Sequence, residues 1–380
     1  MINVFRPLFT SQSETQAPVP IINETVYNQT TIHEENDYDG HFEFLGGRYC
    51  SKYLTSESLN RDVSVKPIHS HNDYWRYAPL TEALGAGAQS IEADIWYFPE
   101  NYTLQATAVE TAEETERRKE DPESNPLRLK SFNDSSIYVG HNQIFLEPEN
   151  TLDKLYFDKL FEILSYSNPE MKYVDTTKEA LPLLEETKSK FGVFYNSPET
   201  PLYLWLDFKT DANETYKVLQ KSLQRFIEND YLAYYDTTTQ TYHEGPIILT
   251  ITGNIPWGLI EQETKRYVFV DVPLADFGKL DIDERVLQRY AQLGKVASGS
   301  MEEIIGTKEF IKNSRLDKFN EDASIMLEQV FDKVHAYGLK SRIWGDADFP
   351  SYIKEGHWKN LYELGSDFLN TDDVYDVAYL

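Results

Sequence analysis

The sequence predicts an α/β protein of the (β/α)8 TIM-barrel type, and three observations carry that reading. A chain of 380 residues exceeds one average domain and suits a barrel with insertions. Eight short apolar runs recur from Val63 onward, each bounded by turn residues. Helical patterns alternate with those runs, as expected for a parallel sheet wrapped by helices.

Taken in order, the runs are VSVKPIH (63–69), SIEADIW (90–96), IYVGHN (137–142), LYLWLDFK (202–209), PIILTITG (246–253), YVFVDVPL (267–274), SRIWGDA (341–347) and DFLNTDD (367–373). PLTEALGAG links the first two, TLDKLYFDKLFEIL follows the third, and ETYKVLQKSLQRFIEND follows the fourth. ASIMLEQVFDKVHAYG precedes the seventh, and HWKNLYELG leads into the eighth. Only the short segment Ile255–Thr264 joins strands five and six, and 275–320 is long and ambiguous. The charged stretch 103–134 reads as an insertion after strand two, and 169–200 as another after strand three. Residues 1–60 are polar and lack a sustained apolar period, so a disordered tail is expected there, with the barrel over 61–380.

Composition excludes several functions. Lys and Arg number 36 against 63 Asp and Glu, a net charge of −27 that repels phosphate backbones and argues against a nucleic-acid partner. Anionic membranes would repel it too, unless a bound cation reverses the sign locally. The single Cys50 excludes a disulfide scaffold or a thiolate zinc site. No apolar run approaches the length of a transmembrane helix. The opening MINVFRPLFTSQSETQAP turns polar before a signal-peptide core can form, while sequons stand at Asn23, Asn28, Asn101, Asn133 and Asn213. A soluble protein is expected, either intracellular or secretory with its signal missing from this sequence.

In such barrels chemistry sits at the C-terminal ends of the strands, so polar residues ending apolar runs are the candidates. Strand one ends in His69-Ser70-His71-Asn72-Asp73, and strand two carries Glu92 and Asp94 on one face. Strand three ends in His141-Asn142, strand four in Asp207-Phe208-Lys209, strand seven in Trp344 and Asp346, and strand eight in Asn370-Thr371-Asp372. Carboxylates inside a buried strand are costly without a cation or partner. Simpler readings exist for single residues. A lone His is more often a satisfied imidazole than a catalyst, Asp207 with Lys209 makes an internal ion pair, and Trp344 fills space.

Two chemistries compete for the set. A two-metal hydrolase would use His69-x-His71, but it also needs imidazoles from strands five and six, and no His lies between His243 and His335. A phosphodiesterase with one divalent cation, Mg²⁺ or Ca²⁺, fits the whole inventory. Glu92, Asp94 and Asp207, with the Asn72 amide, supply hard oxygen ligands. His71 and His141 then serve as acid and base, and Lys209 holds a phosphate oxygen.

These residues also carry a family resemblance. HSHNDYWR, EADIW, VGHN, LDKLYFDKLFEIL, FYNSPET and DFKTD, spread over about 63–380, resemble the phosphatidylinositol phospholipase C-like and glycerophosphodiester phosphodiesterase superfamily. More closely, they resemble the fungal family called altered inheritance of mitochondria protein six. The Ser-His-Asn match implies that His71, rather than its rival His69, is catalytic and that Asn72 is a metal ligand. Glu92 and Asp94 match the superfamily's metal pair, His141 its second histidine, and Asp207-Phe208-Lys209 the Asp-Leu-Lys of the sphingomyelinase D branch. Trp344 matches a pocket-shaping tryptophan. Strand one lacks the His-Arg-Gly of glycerophosphodiesterases, so the resemblance implies a phosphodiester of lipid metabolism without naming it. A non-catalytic lipid- or partner-binding module on the same barrel is the alternative.

Overall fold

The computed structural model describes residues 54–105, 129–168 and 190–379. The expected tail up to residue 53, most of 103–134 and most of 169–200 lie outside the described residues. Residues 54–60 belong to the folded part. Leu54 is buried, Thr55 caps the helix Ser56–Asn60, and Asn60 Nδ2 donates to the Val193 carbonyl at 3.0 Å.

Eight parallel strands close into a barrel: β1 (Lys66–Ser70), β2 (Ala88–Tyr97), β3 (Leu202–Phe208), β4 (Ile247–Gly253), β5 (Val268–Pro273), β6 (Gly294–Ser300), β7 (Lys340–Trp344) and β8 (Phe368–Thr371). Each pairs with the next in sequence, and β8 pairs with β1 to complete the ring. Helices cover the outside where the sequence pattern places them, among them Thr81–Ala86, Ala212–Glu228, Glu321–Ala336 and Ser351–Glu363.

Two strand assignments need correction. IYVGHN is not a barrel stave: Ile137–Val139 runs antiparallel to the end of β2, with Ile95 opposite Val139. The missing stave is GKVASGS at 294–300, inside the stretch that the sequence left ambiguous. Its Gly and Ser residues dilute the apolar signal, although Val296 and Ala297 are fully buried. Asp207 therefore lies on the third stave and Lys209 just after it, not on the fourth. Both expected insertions fall within one β2–β3 connection.

That connection builds a satellite core. The antiparallel pair Tyr102–Gln105 and Leu129–Phe132 packs Phe132 with Phe98, Tyr138 and Leu146. Trp96 Nε1 donates to the Gly140 carbonyl at 2.6 Å and ties the residue before His141 to β2.

The inward face of the barrel changes character along its axis. Tyr203, Trp205, Ile248, Phe269, Val296 and Phe368 form an apolar cluster. Tyr235 and Tyr242 pack against it from a small sheet made of Tyr234–Asp236, Thr241–His243 and Lys265–Arg266. Side chains two residues apart share a face, so the next inward residue after Trp205 is Asp207, after Phe269 Asp271, and after Phe368 Asn370. The polar layer thus lies toward the C-terminal end of the strands, where barrel chemistry is found.

Candidate active site

Every stave contributes to the polar layer. Register pairs Asp94 with Asp207, Asp207 with Thr252, Ser298 with Arg342, and Asn370 with His69. Asp271 accepts from Thr252 Oγ1 at 3.3 Å and from Ser298 Oγ at 2.5 Å.

Glu92 is the hub of the buried side. Its Oε2 accepts from Arg342 at 3.1 Å and from His69 Nε2 at 3.0 Å. Burial would raise the Glu92 pKa, but Arg342 and His69 together hold it below the usual carboxylate range. His69 is fully buried, with Nδ1 2.7 Å from Ser90 Oγ and its ring edge against Trp205. Burial and Arg342 push its pKa down to about 3, so it stays neutral, donating to Glu92 and accepting from Ser90. Arg342 lies over the Trp205 ring and also donates to Asn370 Oδ1.

His71 lies beyond the layer. It lines a cavity of about 440 Å³ with Trp344, Asp346, Asp348, Lys354 and Asp372. Its Nδ1 is 2.8 Å from Asp372 Oδ1, and its Nε2 is 3.9 Å from Glu92 Oε2. Trp344 stands half exposed on the wall of the same cavity rather than inside the barrel. The rival histidines are thus separated by burial, and only His71 of the two lines this cavity.

The loop after β1 is held by one buried carboxylate. Asp73 accepts from Ser70 Oγ at 2.7 Å, Arg76 Nε at 3.2 Å, Leu80 N at 2.6 Å and Tyr156 OH at 3.0 Å. Asn72 takes a left-handed conformation, φ +47°, which Asn tolerates better than most residues. Its Nδ2 donates to Asp372 at 3.1 Å, and its Oδ1 accepts from Tyr74 OH at 2.6 Å.

On the other side, Asp94 Oδ2 lies 2.9 Å from Tyr74 OH, 3.1 Å from Lys209 Nζ and 3.3 Å from His141 Nδ1. Lys209 Nζ also sits 2.5 Å from Asp207 Oδ2, the internal ion pair of the simpler reading. Burial, Asp207 and Glu92 raise the Asp94 pKa against the pull of Lys209. His141 arrives from the β2–β3 connection and leans on the Trp75 ring at 5.2 Å.

The carboxylates fit a cation. Glu92, Asp94 and Asp207 each offer one oxygen, and the three atoms lie within 4.8 Å of one another. Oxygens bound at about 2.0–2.6 Å to one hard ion span at most about 5 Å, so the spacing could hold a metal ion. The Lys209 ammonium bridging Asp94 and Asp207 shows that this pocket favours positive charge. Asn72 lies beside this group, linked to Asp94 through Tyr74.

Five participants were not among the residues singled out from the sequence for a role: Tyr74, Thr252, Asp271, Ser298 and Arg342. Tyr74 stood in the HSHNDYWR motif, and Asp271 and Arg342 break otherwise apolar runs. That interruption is the signal that could have found them.

The site is thus a closed parallel barrel with carboxylates and two histidines at its mouth, an arrangement compatible with the phosphodiesterase-like class. The comparisons narrow this: the chain belongs to the family of the AIM6-like phosphodiesterase domain, whose family model matches residues 57–119 and 130–271. It is 32% identical to Altered inheritance of mitochondria protein 6 of Saccharomyces cerevisiae over 365 residues, covering 90% of this chain and 79% of that one. The protein of the same name from Lachancea thermotolerans is 32% identical over 343 residues, 85% of this chain and 67% of that one. That from Eremothecium gossypii is 32% identical over 326 residues, 84% and 71%. No solved structure matches the chain. Among the described residues, no helix is long and apolar enough to cross a membrane.

Proposed function

We propose that the chain is a metal-dependent phosphoric diester hydrolase acting on a glycerophosphodiester or phospholipid-type substrate, with His71 and His141 as general acid and base. One observation carries this reading: the two histidines each reach a different member of one carboxylate cluster, His71 Nε2 at 3.9 Å from Glu92 and His141 Nδ1 at 3.3 Å from Asp94.

Glu92, Asp94 and Asp207 hold the divalent cation, with Asn72 beside them. A cation bound there would supply charge neutralisation at the non-bridging phosphate oxygens. Lys209 is the mobile member of the set, released from its carboxylates to grip a phosphate oxygen. One histidine takes the proton of the nucleophile, a water or a neighbouring substrate hydroxyl, and the other returns a proton to the leaving alkoxide. Asp372 accepts from Nδ1 of His71 and orients that ring toward the site. The organic part of the substrate occupies the cavity beside His71, against Trp344.

The test is alcohol or phosphate release from a panel of phosphodiesters in Mg²⁺, Ca²⁺ or EDTA, with His141→Ala as control. Metal-dependent release lost in the variant supports the reading. Silence across the panel, with no metal-induced thermal shift, favours the non-catalytic binding module instead.

A further inference from the structure

We propose that Tyr74 is a positioning residue that fixes the aim and tautomer of His141, placing the ring proton on Nδ1 and turning Nε2 to the substrate. This rests on the reading of His141 as a proton-transfer group.

The argument is one of donors and acceptors. The Tyr74 hydroxyl has a single proton and three neighbours: Asn72 Oδ1 at 2.6 Å, Asp94 Oδ2 at 2.9 Å and His141 Nδ1 at 3.2 Å. The first two are oxygens that can only accept, so the phenol proton points to one of them. The phenol oxygen then turns its lone pairs toward His141, and the hydrogen bond closes only if Nδ1 carries the proton. Asp94 Oδ2, another acceptor, stands 3.3 Å from the same nitrogen and favours the same assignment. A neutral imidazole has one N–H, so Nε2 is left with its lone pair.

The chain needs such a device because the two histidines have different origins. His71 follows a barrel strand directly, whereas His141 sits on an excursion of the β2–β3 connection with its side chain about half exposed. The turn Asp73–Trp75 reaches across to it, Tyr74 bonding the ring nitrogen and Trp75 packing on the ring. That turn is anchored by the buried Asp73, so its rigidity is passed on to His141.

The experiment is ¹⁵N NMR of the full chain labelled at histidine, at about pH 8 where an ordinary imidazole is neutral, with His141 assigned by His141→Gln. The wild type is expected to show a protonated Nδ1 and a bare Nε2 at His141. In Tyr74→Phe the pattern is expected to move toward the Nε2–H form that solvated side chains favour. Its kcat should fall roughly ten- to hundredfold, as when other orienting partners are removed, with KM unchanged. An Nε2–H ring in the wild type overturns the proposal without any variant. So does a Tyr74→Phe protein that keeps the wild-type tautomer and kcat. A wild type silent on every phosphodiester would sink the catalytic reading while leaving the tautomer measurement decisive for Tyr74.

Discussion

His69 and His71 aim their Nε2 atoms at the same oxygen of Glu92, at 3.0 and 3.9 Å, yet one lies within the polar layer and the other beyond it. His69 is sealed between Ser90, Glu92 and Trp205, while His71 opens on the cavity. Two residues of strand and turn thus separate a buried imidazole from the one proposed for proton transfer.

That separation predicts different phenotypes. His71→Asn and His141→Gln should each lower kcat by about two orders of magnitude or more, with melting temperatures within a few degrees of wild type. His69→Leu should lose stability by about 2 kcal/mol or more, because Glu92 and Ser90 lose a partner in a buried setting. Steady-state kinetics and denaturant melts of the three variants separate the roles.

Arg342 balances the buried Glu92, so Arg342→Met should cost about 3–5 kcal/mol at neutral pH. The sign with pH follows from the depressed Glu92 pKa. Its stabilising contribution is present above the ordinary carboxylate pKa and fades as pH falls below it. Urea titrations should show the gap between wild type and variant narrowing at acid pH. A gap that is constant with pH would argue against this ion pair as the cause.

Asp271 behaves in the opposite sense. Burial raises its pKa to about 6 despite hydrogen bonds from Ser298 and Thr252. A carboxylate raised above its unfolded value favours folding at low pH and loses that contribution as pH rises through 6. Asp271→Asn should therefore be more stable than wild type at pH 8, by about 1–2 kcal/mol, and the gain should disappear near pH 4. Thermal melts across that range check it.

Gly253 governs a proposed metal ligand without touching metal. Its φ is +70°, and a Cβ there would collide with Asp207 Oδ1 and the Phe208 backbone. Gly253→Ala should weaken Mg²⁺ binding at least tenfold, read as a smaller metal-induced thermal shift. An undiminished shift would mean that Asp207 is not a ligand.

Much of the fold was legible because most staves are continuous apolar runs, as β3 and β4 illustrate. Two errors arose from the same rule. GKVASGS has few large apolar residues, and its Ser298 turns inward to bond Asp271. IYVGHN is apolar because Tyr138 packs into the satellite core, not because it lines the barrel. At the site, Glu92, Asp94 and Asp207 could be read because carboxylates stand out in apolar strands. Tyr74 could not, since its importance lies in what surrounds it: His141 is 67 residues away in sequence.

The origin of His141 divides the site between two parts of the chain. The ring of staves closes through β1–β8 pairing and carries the carboxylate cluster by itself, whereas the second histidine comes from the β2–β3 excursion. The two parts meet at the contact of Tyr74 and Trp75 with His141. The excursion does more than deliver that histidine: its Tyr156 bonds Asp73 and its Phe157 packs on Phe226, so the segment that arms the site also braces the barrel.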